Sequence, residues 1–288
     1  MAKTKRIRGI MWYVMVILIS MTTVFPFVWT VSTSLKSNSE ILSGAMNVIP
    51  KEFTLDHYRE VFATMPFLNY LKNSLILAIG GVLTNLFFGS LAGYSFGQLK
   101  FKGKKTIFLI FLASMMIPGI VTMIPTFIVL RSFPLAGGND LMGAGGLGLI
   151  NSYWAILLPG AAGAFSIFFM KQFFEQLPSE LGESARIDGA SEFAIFWRVY
   201  FPLAKPSLTT LGIMTFQAGW NAFMWPMIVL NSDEMKTVQV GLAAFQYNYN
   251  TNYGPLMAGT IMATLPVLIL FIFAQRNYVQ SMADASIK

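Results

Sequence analysis

Residues 74–96 pass without one charged side chain, and so do 10–31, 106–130, 153–170, 207–230 and 254–275. Uncharged apolar runs of about 18 residues or more are what bilayer-spanning helices require. Lipid offers no partner to backbone N–H and C=O groups, so such runs must become helices or a closed barrel. These are apolar all round, with no period-two alternation, which selects helices. The expected fold is therefore all-α: a polytopic membrane protein with six transmembrane helices in a single domain over 1–288, and a cytoplasmic helical loop over 175–206. Only 11% of the chain is charged, about half the share expected of a soluble domain.

The first run follows a basic lead of Lys3, Lys5, Arg6 and Arg8, the arrangement that also opens a signal peptide. It is too long for one and no small-x-small cleavage site follows, so it reads as an uncleaved span. Pro118, Pro125, Pro159, Pro226 and Pro266 fall inside spans and predict kinks, which bundled helices tolerate. Six spans put both termini on one side. That side collects fourteen of the 20 basic residues, from the N-terminal lead, residues 100–105, residues 171–205 and the tail. The other holds Lys36, Lys51, Arg59, Lys72, Arg131 and Lys236. The positive-inside rule then places both termini of this multi-pass chain in the cytoplasm.

The net charge of +7 is explained by that sidedness, without nucleic-acid binding. With no cysteine, disulfides and thiolate metal sites are excluded. The sole histidine, His57, lies in a polar stretch and reads as an exposed loop residue; the piece around 56–62 reads as a short amphipathic element. Residues 132–152 are glycine-rich, with Gly137, Gly138, Gly143, Gly145, Gly146 and Gly148, and read as an irregular outer loop. No Gly-Lys-Ser/Thr element follows to make it a phosphate cradle; a spacer or partner contact fits better.

The strongest polar pattern lies over 175–206. Pro178 and Ser179 suit a helix start, with Glu180 and Glu183 near its positive dipole end. Asp188-Gly189 signals a turn. Ser191 can cap a second short helix on which Phe193, Phe196, Trp197 and Tyr200 recur at three- and four-residue spacing. Pro202 and Pro206 punctuate the entry to the fifth span. Such an aromatic stripe either packs on its own bundle or anchors a partner's pocket.

Glu183-Ser184-Ala185, then Gly189, then Val199-x-Phe201-Pro202 resembles the EAA motif of the permease subunits of bacterial ABC importers. Ser184, Val199 and Phe201 depart from it; the acidic residue and the turn glycine are kept. The wider form, with Asp188-Gly189-Ala190 and Pro206, is similar to the carbohydrate-uptake branch. Pro26-Phe27-Val28-Trp29, Ser34-Leu35-Lys36, residues 50–55 with Tyr58, Trp220-Asn221 with residues 223–226, and Gln275-Arg276 with Val279-Gln280 look like further stretches of it, in order.

The resemblance implies a subunit that imports a sugar or oligosaccharide delivered by an extracellular solute-binding protein, beside a second permease subunit and a cytoplasmic ATPase dimer. It implies that residues 183–202 dock on the ATPase. Glu183 and Asp188 would pair or cap, Ala185, Gly189 and Ala190 would permit close approach, Phe193, Phe196 and Trp197 would anchor, and Pro202 would close the motif. ATP and Mg²⁺ would sit on the partner ATPase; this chain has no phosphate loop and needs no cofactor or metal.

A sugar path requires aromatic faces and amide or hydroxyl groups, and the fifth span offers Gln217, Trp220, Asn221, Phe223 and Trp225. Gln217 and Asn221 share a face at four-residue spacing, and polar groups inside a span are usually functional. The competing role for the tryptophans is an interfacial belt. Three rivals define the alternatives. A permease of this type could carry a non-sugar solute. An ion-coupled transporter would want an intramembrane carboxylate or histidine, which the six cores lack. A membrane enzyme would need a convergent nucleophile, base or metal set, and none is visible.

Overall fold

The computed structural model describes residues 2–44, 46–246 and 251–286, with side chains for 9–44, 46–246 and 251–273. The side chains of the basic lead and of Gln275, Arg276, Val279 and Gln280 therefore lie outside the described residues. Among the described residues the regular structure is helical, apart from two isolated antiparallel bridges, Lys36 with Phe53 and Gln246 with Thr251.

Among the described residues three helices are long and apolar enough to cross a membrane: Gly9–Ser34, Phe67–Gln98 and Tyr253–Phe273. A fourth is reached if Lys104–Ser114 and Gly119–Arg131, bent by 102° at their break, count as one span. Where unbroken helices were expected over 106–130, 153–170 and 207–230, the chain forms pairs of shorter ones. The third run breaks just before Pro118, whose ring disfavours helix at the preceding residue. The fourth divides into Trp154–Leu157 and Ala164–Phe174 around Pro159, Gly160 and Gly163. The fifth divides into Lys205–Trp220 and Met224–Val229, with Pro226 in the first turn of the second piece, where its missing N–H does no harm. Pro26, Pro125 and Pro266 stay inside continuous helices.

The chain divides into two compact units. The first comprises residues 1–67 and 241–265. In it, Lys36 is buried and places its ammonium 4.4 Å from the Trp29 ring centroid, a cation–π contact. His57 is not an exposed loop residue. It lies on the short helix Asp56–Thr64, is only 3% exposed, and hydrogen-bonds the Lys36 carbonyl at 2.8 Å through Nε2. Its ring rests against Gly254, where any Cβ would collide with it. A polar residue in a polar stretch looked solvated; the fold of its neighbours closes over it.

The second unit comprises residues 68–240 and 266–288. Its spine is the pairing of the Phe67–Gln98 helix with Ala164–Phe174. Gly89, Gly93 and Gly97 recur every four residues and let the two backbones close up, the small-residue packing common between membrane helices. A Cβ on Gly93 would stand 2.6 Å from the Met170 Cβ, and one on Gly97 2.9 Å from the Phe174 Cβ.

Near the middle of the long helix a π-helical turn, Asn85–Gly89, interrupts the α-helix. Its first residue, buried Asn85, donates from Nδ2 to the Gly160 carbonyl at 2.7 Å and accepts from the Ser166 hydroxyl at 2.7 Å and the Gly163 N–H at 3.3 Å. One side chain thus satisfies backbone groups released by the break in the fourth run. At the start of the same helix, Asn73 donates to the carbonyls of Glu234 (2.7 Å) and Lys236 (2.9 Å) and accepts from the Tyr153 hydroxyl at 2.7 Å.

The glycine-rich loop is an ordered structure rather than a slack spacer. The Asn139 amide donates to the Arg131 and Phe133 carbonyls, and its Oδ1 accepts from the Gly146 N–H at 2.7 Å. Asp140 Oδ1 accepts from the N–H groups of Met142 and Ala144.

Candidate functional site

The segment read as helix, turn, helix has that form: Glu180–Ile187, a turn at Gly189, then Glu192–Ile195. The first helix has two acidic residues in its opening turn, Glu180 and Glu183, and Arg186 in its last, the charge order that suits the helix dipole. Ser179 occupies the N-cap position without a side-chain capping bond. At the far end the Gly189 N–H donates to the Arg186 carbonyl and the Ala190 N–H to the Ala185 carbonyl, each at 3.0 Å. With Gly189 at φ +82°, this is a Schellman closure, the commonest use of a left-handed glycine. Ser191 caps the second helix, its hydroxyl accepting from the Ala194 N–H at 3.3 Å.

The aromatic stripe divides in two. Past Ile195 the chain winds into a π-helical turn, Phe196–Tyr200, and the two four-residue pairs of the stripe take different flanks. Phe196 and Tyr200 point inward and are buried against Tyr94, Met170 and Phe174. Phe193 and Trp197 point outward, 56% and 47% exposed. Phe196 is therefore a core residue, and an anchor for a partner must come from elsewhere on the surface. Trp197 stacks on Phe201, with centroids 4.7 Å apart. Ile187, which spacing did not single out, is 86% exposed at the tip of the first helix. Glu183, Asp188, Gly189 and Pro202 are exposed, and Ala185 and Ala190 are half-buried against the same core.

Polar contacts fasten this element to the end of the Phe67–Gln98 helix. Glu192 accepts from Arg186 Nε at 2.5 Å and Nη2 at 3.2 Å, and from the Tyr94 hydroxyl at 3.0 Å. The Arg186 hydrogen bond, aided by Tyr94, holds the Glu192 carboxyl below the usual glutamate range although burial opposes it. The Tyr200 hydroxyl donates to Gln98 Oε1 or the Pro178 carbonyl, each at 3.1 Å, and Gln98 Nε2 donates to the carbonyls of Phe174 and Leu177. Local pattern could not pair Tyr94 with Glu192 or Gln98 with Tyr200, which meet across 98 and 102 residues. The glycine stripe 89, 93, 97 was visible as four-residue spacing in an apolar run.

The five residues of the fifth run are not brought to one place. Gln217 and Asn221 are exposed together, with the Asn221 N–H on the Gln217 carbonyl at 3.0 Å. Trp220 faces the other way, buried and stacked on Phe216 at 5.7 Å. Phe223 sits in the break. Trp225 donates from Nε1 to the Ala155 carbonyl at 3.1 Å and lines a cleft with Gly119, Thr122, Thr126, Pro159 and Gly160. Among the described residues no group of three or more His, Cys, Asp or Glu is placed to hold a metal ion.

Comparison with known proteins adds a family. Residues 85–284 match the model of the binding-protein-dependent transport system inner membrane component. The chain is 35% identical over 274 residues to the arabinooligosaccharides transport system permease protein AraQ of Bacillus subtilis (strain 168), covering 94% of this chain and 92% of that protein. It is 32% identical over 278 residues to the lactose transport system permease protein LacG of Rhizobium radiobacter, covering 96% of each. Among solved structures it is similar to a chain of a bacterial ABC transporter involved in the import of the acidic polysaccharide alginate. That match has a TM-score of 0.80 at 26% identity and covers 95% of this chain and 97% of that one.

Proposed function

The chain belongs to the family of binding-protein-dependent transport system inner membrane components, and from that premise we propose that it is one of two permease subunits of an ATP-driven importer of a sugar or oligosaccharide. It is a transport subunit of a membrane protein complex, not an enzyme. The cargo class rests on the relatives, whose names specify arabinooligosaccharides and lactose. An extracellular solute-binding protein delivers the sugar, a second permease subunit completes the path, and a cytoplasmic ATPase dimer binds ATP and Mg²⁺.

In this reading the chain crosses the bacterial inner membrane six times with both termini in the cytoplasm. The broken helices supply the crossings beyond the long ones, and their breaks at 115–118 and 158–160, exposed on this chain by itself, are covered by partner protein or line the path. The observation that carries the mechanism is the capped helical hairpin over 180–195. Its outer surface presents Ile187 and Phe193, while Phe196 and Tyr200 root it in the core. Residues 183–202 then form the surface seated on the ATPase, with Glu183 and Asp188 at its polar edge and Gly189 at its point of closest approach. When the ATPase subunits close on ATP, the hairpins are drawn together and the spans change the side they open to. Trp225, Gln217, Asn221 and Phe223 are placed along the path; Trp220, being buried, supports it.

Uptake by the assembled complex in proteoliposomes tests this. Import of an oligosaccharide should need ATP, the ATPase subunit and the binding protein together. Import that persists without ATP or without the ATPase would sink the reading.

A further inference from the structure

The hairpin over 180–195 joins the rest of the chain covalently only at its ends, yet it has to move the spans. Packing alone is a poor transmitter, because dispersion and hydrophobic contact have no direction and permit sliding. Hydrogen bonds with fixed geometry do not. One carboxylate gathers three elements: Glu192, on the second short helix, receives Arg186 from the first and Tyr94 from the Phe67–Gln98 helix. Tyr94 is 2% exposed, its ring wedged between Phe196 and Tyr200 with centroids 5.5 and 5.1 Å away. The Tyr94 hydroxyl is thus delivered to Glu192 by a ring that cannot turn aside. The Tyr200–Gln98 contact lies one helical turn further along the same span.

We propose that Glu192 and Tyr94 are positioning residues that lock the cytoplasmic hairpin to the inner end of the Phe67–Gln98 helix, so that the two travel as one body during the transport cycle. The inference rests on the hairpin being the ATPase-docking element. Arg186 completes the lock: its bidentate, charge-assisted hold fixes the Glu192 carboxylate in the orientation that Tyr94 meets. The Gln98 amide on the Phe174 carbonyl and Asn85 on the Ser166 hydroxyl carry the motion onward to Ala164–Phe174.

The native chain has no cysteine, so two introduced thiols can carry spin labels without removing any. The pair is Glu180→Cys, exposed at the start of the hairpin and outside the docking residues 183–202, and Lys100→Cys just beyond the span's inner end, measured by electron paramagnetic resonance in the complex purified with its partner subunits. The parent should give one narrow distance, unchanged when the complex is trapped with ATP and vanadate. Adding Tyr94→Phe, which removes one oxygen and keeps the ring, should broaden that distance and make it shift on trapping. Glu192→Gln should act in the same direction, and combining the two should add little.

A contact that merely supports the fold would lower thermal stability without making the distance depend on nucleotide. An unchanged narrow distance in both variants overturns the proposal. So does a parent distance that already shifts on trapping, or a Tyr94→Phe chain that no longer assembles. Failure of the parent chain to co-purify with an ATPase, or to support ATP hydrolysis, strikes instead at the function proposed above.

Discussion

Glu192 is the residue at which electrostatics and geometry meet. Hydrogen bonding to Arg186, then to Tyr94, holds its folded pKa below the ordinary 4.5. A depressed carboxylate pKa contributes stability above the unfolded value and loses it as pH falls through the folded one. The native protein should therefore lose thermal stability faster than Glu192→Gln as pH drops below about 4.5, and the two should run parallel above it. Glu192 is half exposed, so solvent screens the contribution and the gap should be small. Melting curves of both proteins across the acid range check this. Gly93 carries a larger energy: Gly93→Ala would force the helix pair apart, at a cost of about 1–3 kcal/mol, seen as a lower melting temperature in detergent. Asn85 belongs to the same scale, since its amide holds the broken fourth run closed, a role no local pattern announces.

At the scale of elements, the hairpin over 180–195 depends on its turn. Gly189 has φ +82° and open space where a Cβ would stand, so no neighbour forbids a side chain there. Gly189→Ala should cost only the left-handed backbone penalty, about 1 kcal/mol, and leave uptake largely intact. Gly189→Trp should leave the chain in the membrane but abolish uptake, because its bulk stands where the partner must approach. Retained ATPase co-purification with normal transport in Gly189→Trp would refute the docking role. The turn at Gly189 and the cap at Ser191 were legible, since capping and turn formation are local chemistry, whereas Ser179 stands at the helix start without making the capping bond expected of it. The inward and outward sorting of its aromatics was not legible. Spacing gives two flanks, Phe193 with Trp197 and Phe196 with Tyr200, and only the distant core of Tyr94, Met170 and Phe174 decides which of them is covered.

For the whole molecule, the testable matter is sidedness. Lys51→Cys, on an exposed loop, should react with a membrane-impermeant maleimide in intact cells. Ile187→Cys, in cells lacking the ATPase subunit that would cover it, should react only after the cells are opened. The reverse pattern would invert the topology and remove residues 175–206 from the ATPase's side.

Composition and the uncharged runs by themselves determined that the chain is a helical membrane protein, because lipid leaves unpaired backbone no alternative. Basic-residue sidedness and the spacing from Glu183 to Pro202 pointed to an importer subunit with a cytoplasmic docking element. Tertiary structure alone decided where the spans break, which of the five residues in 217–225 turn inward, that His57 is buried, and that Glu192 meets Tyr94. Hydropathy measures whether a segment prefers lipid to water, and that preference is a sum over residues. Direction, register and pairing depend on what a distant segment places opposite each side chain.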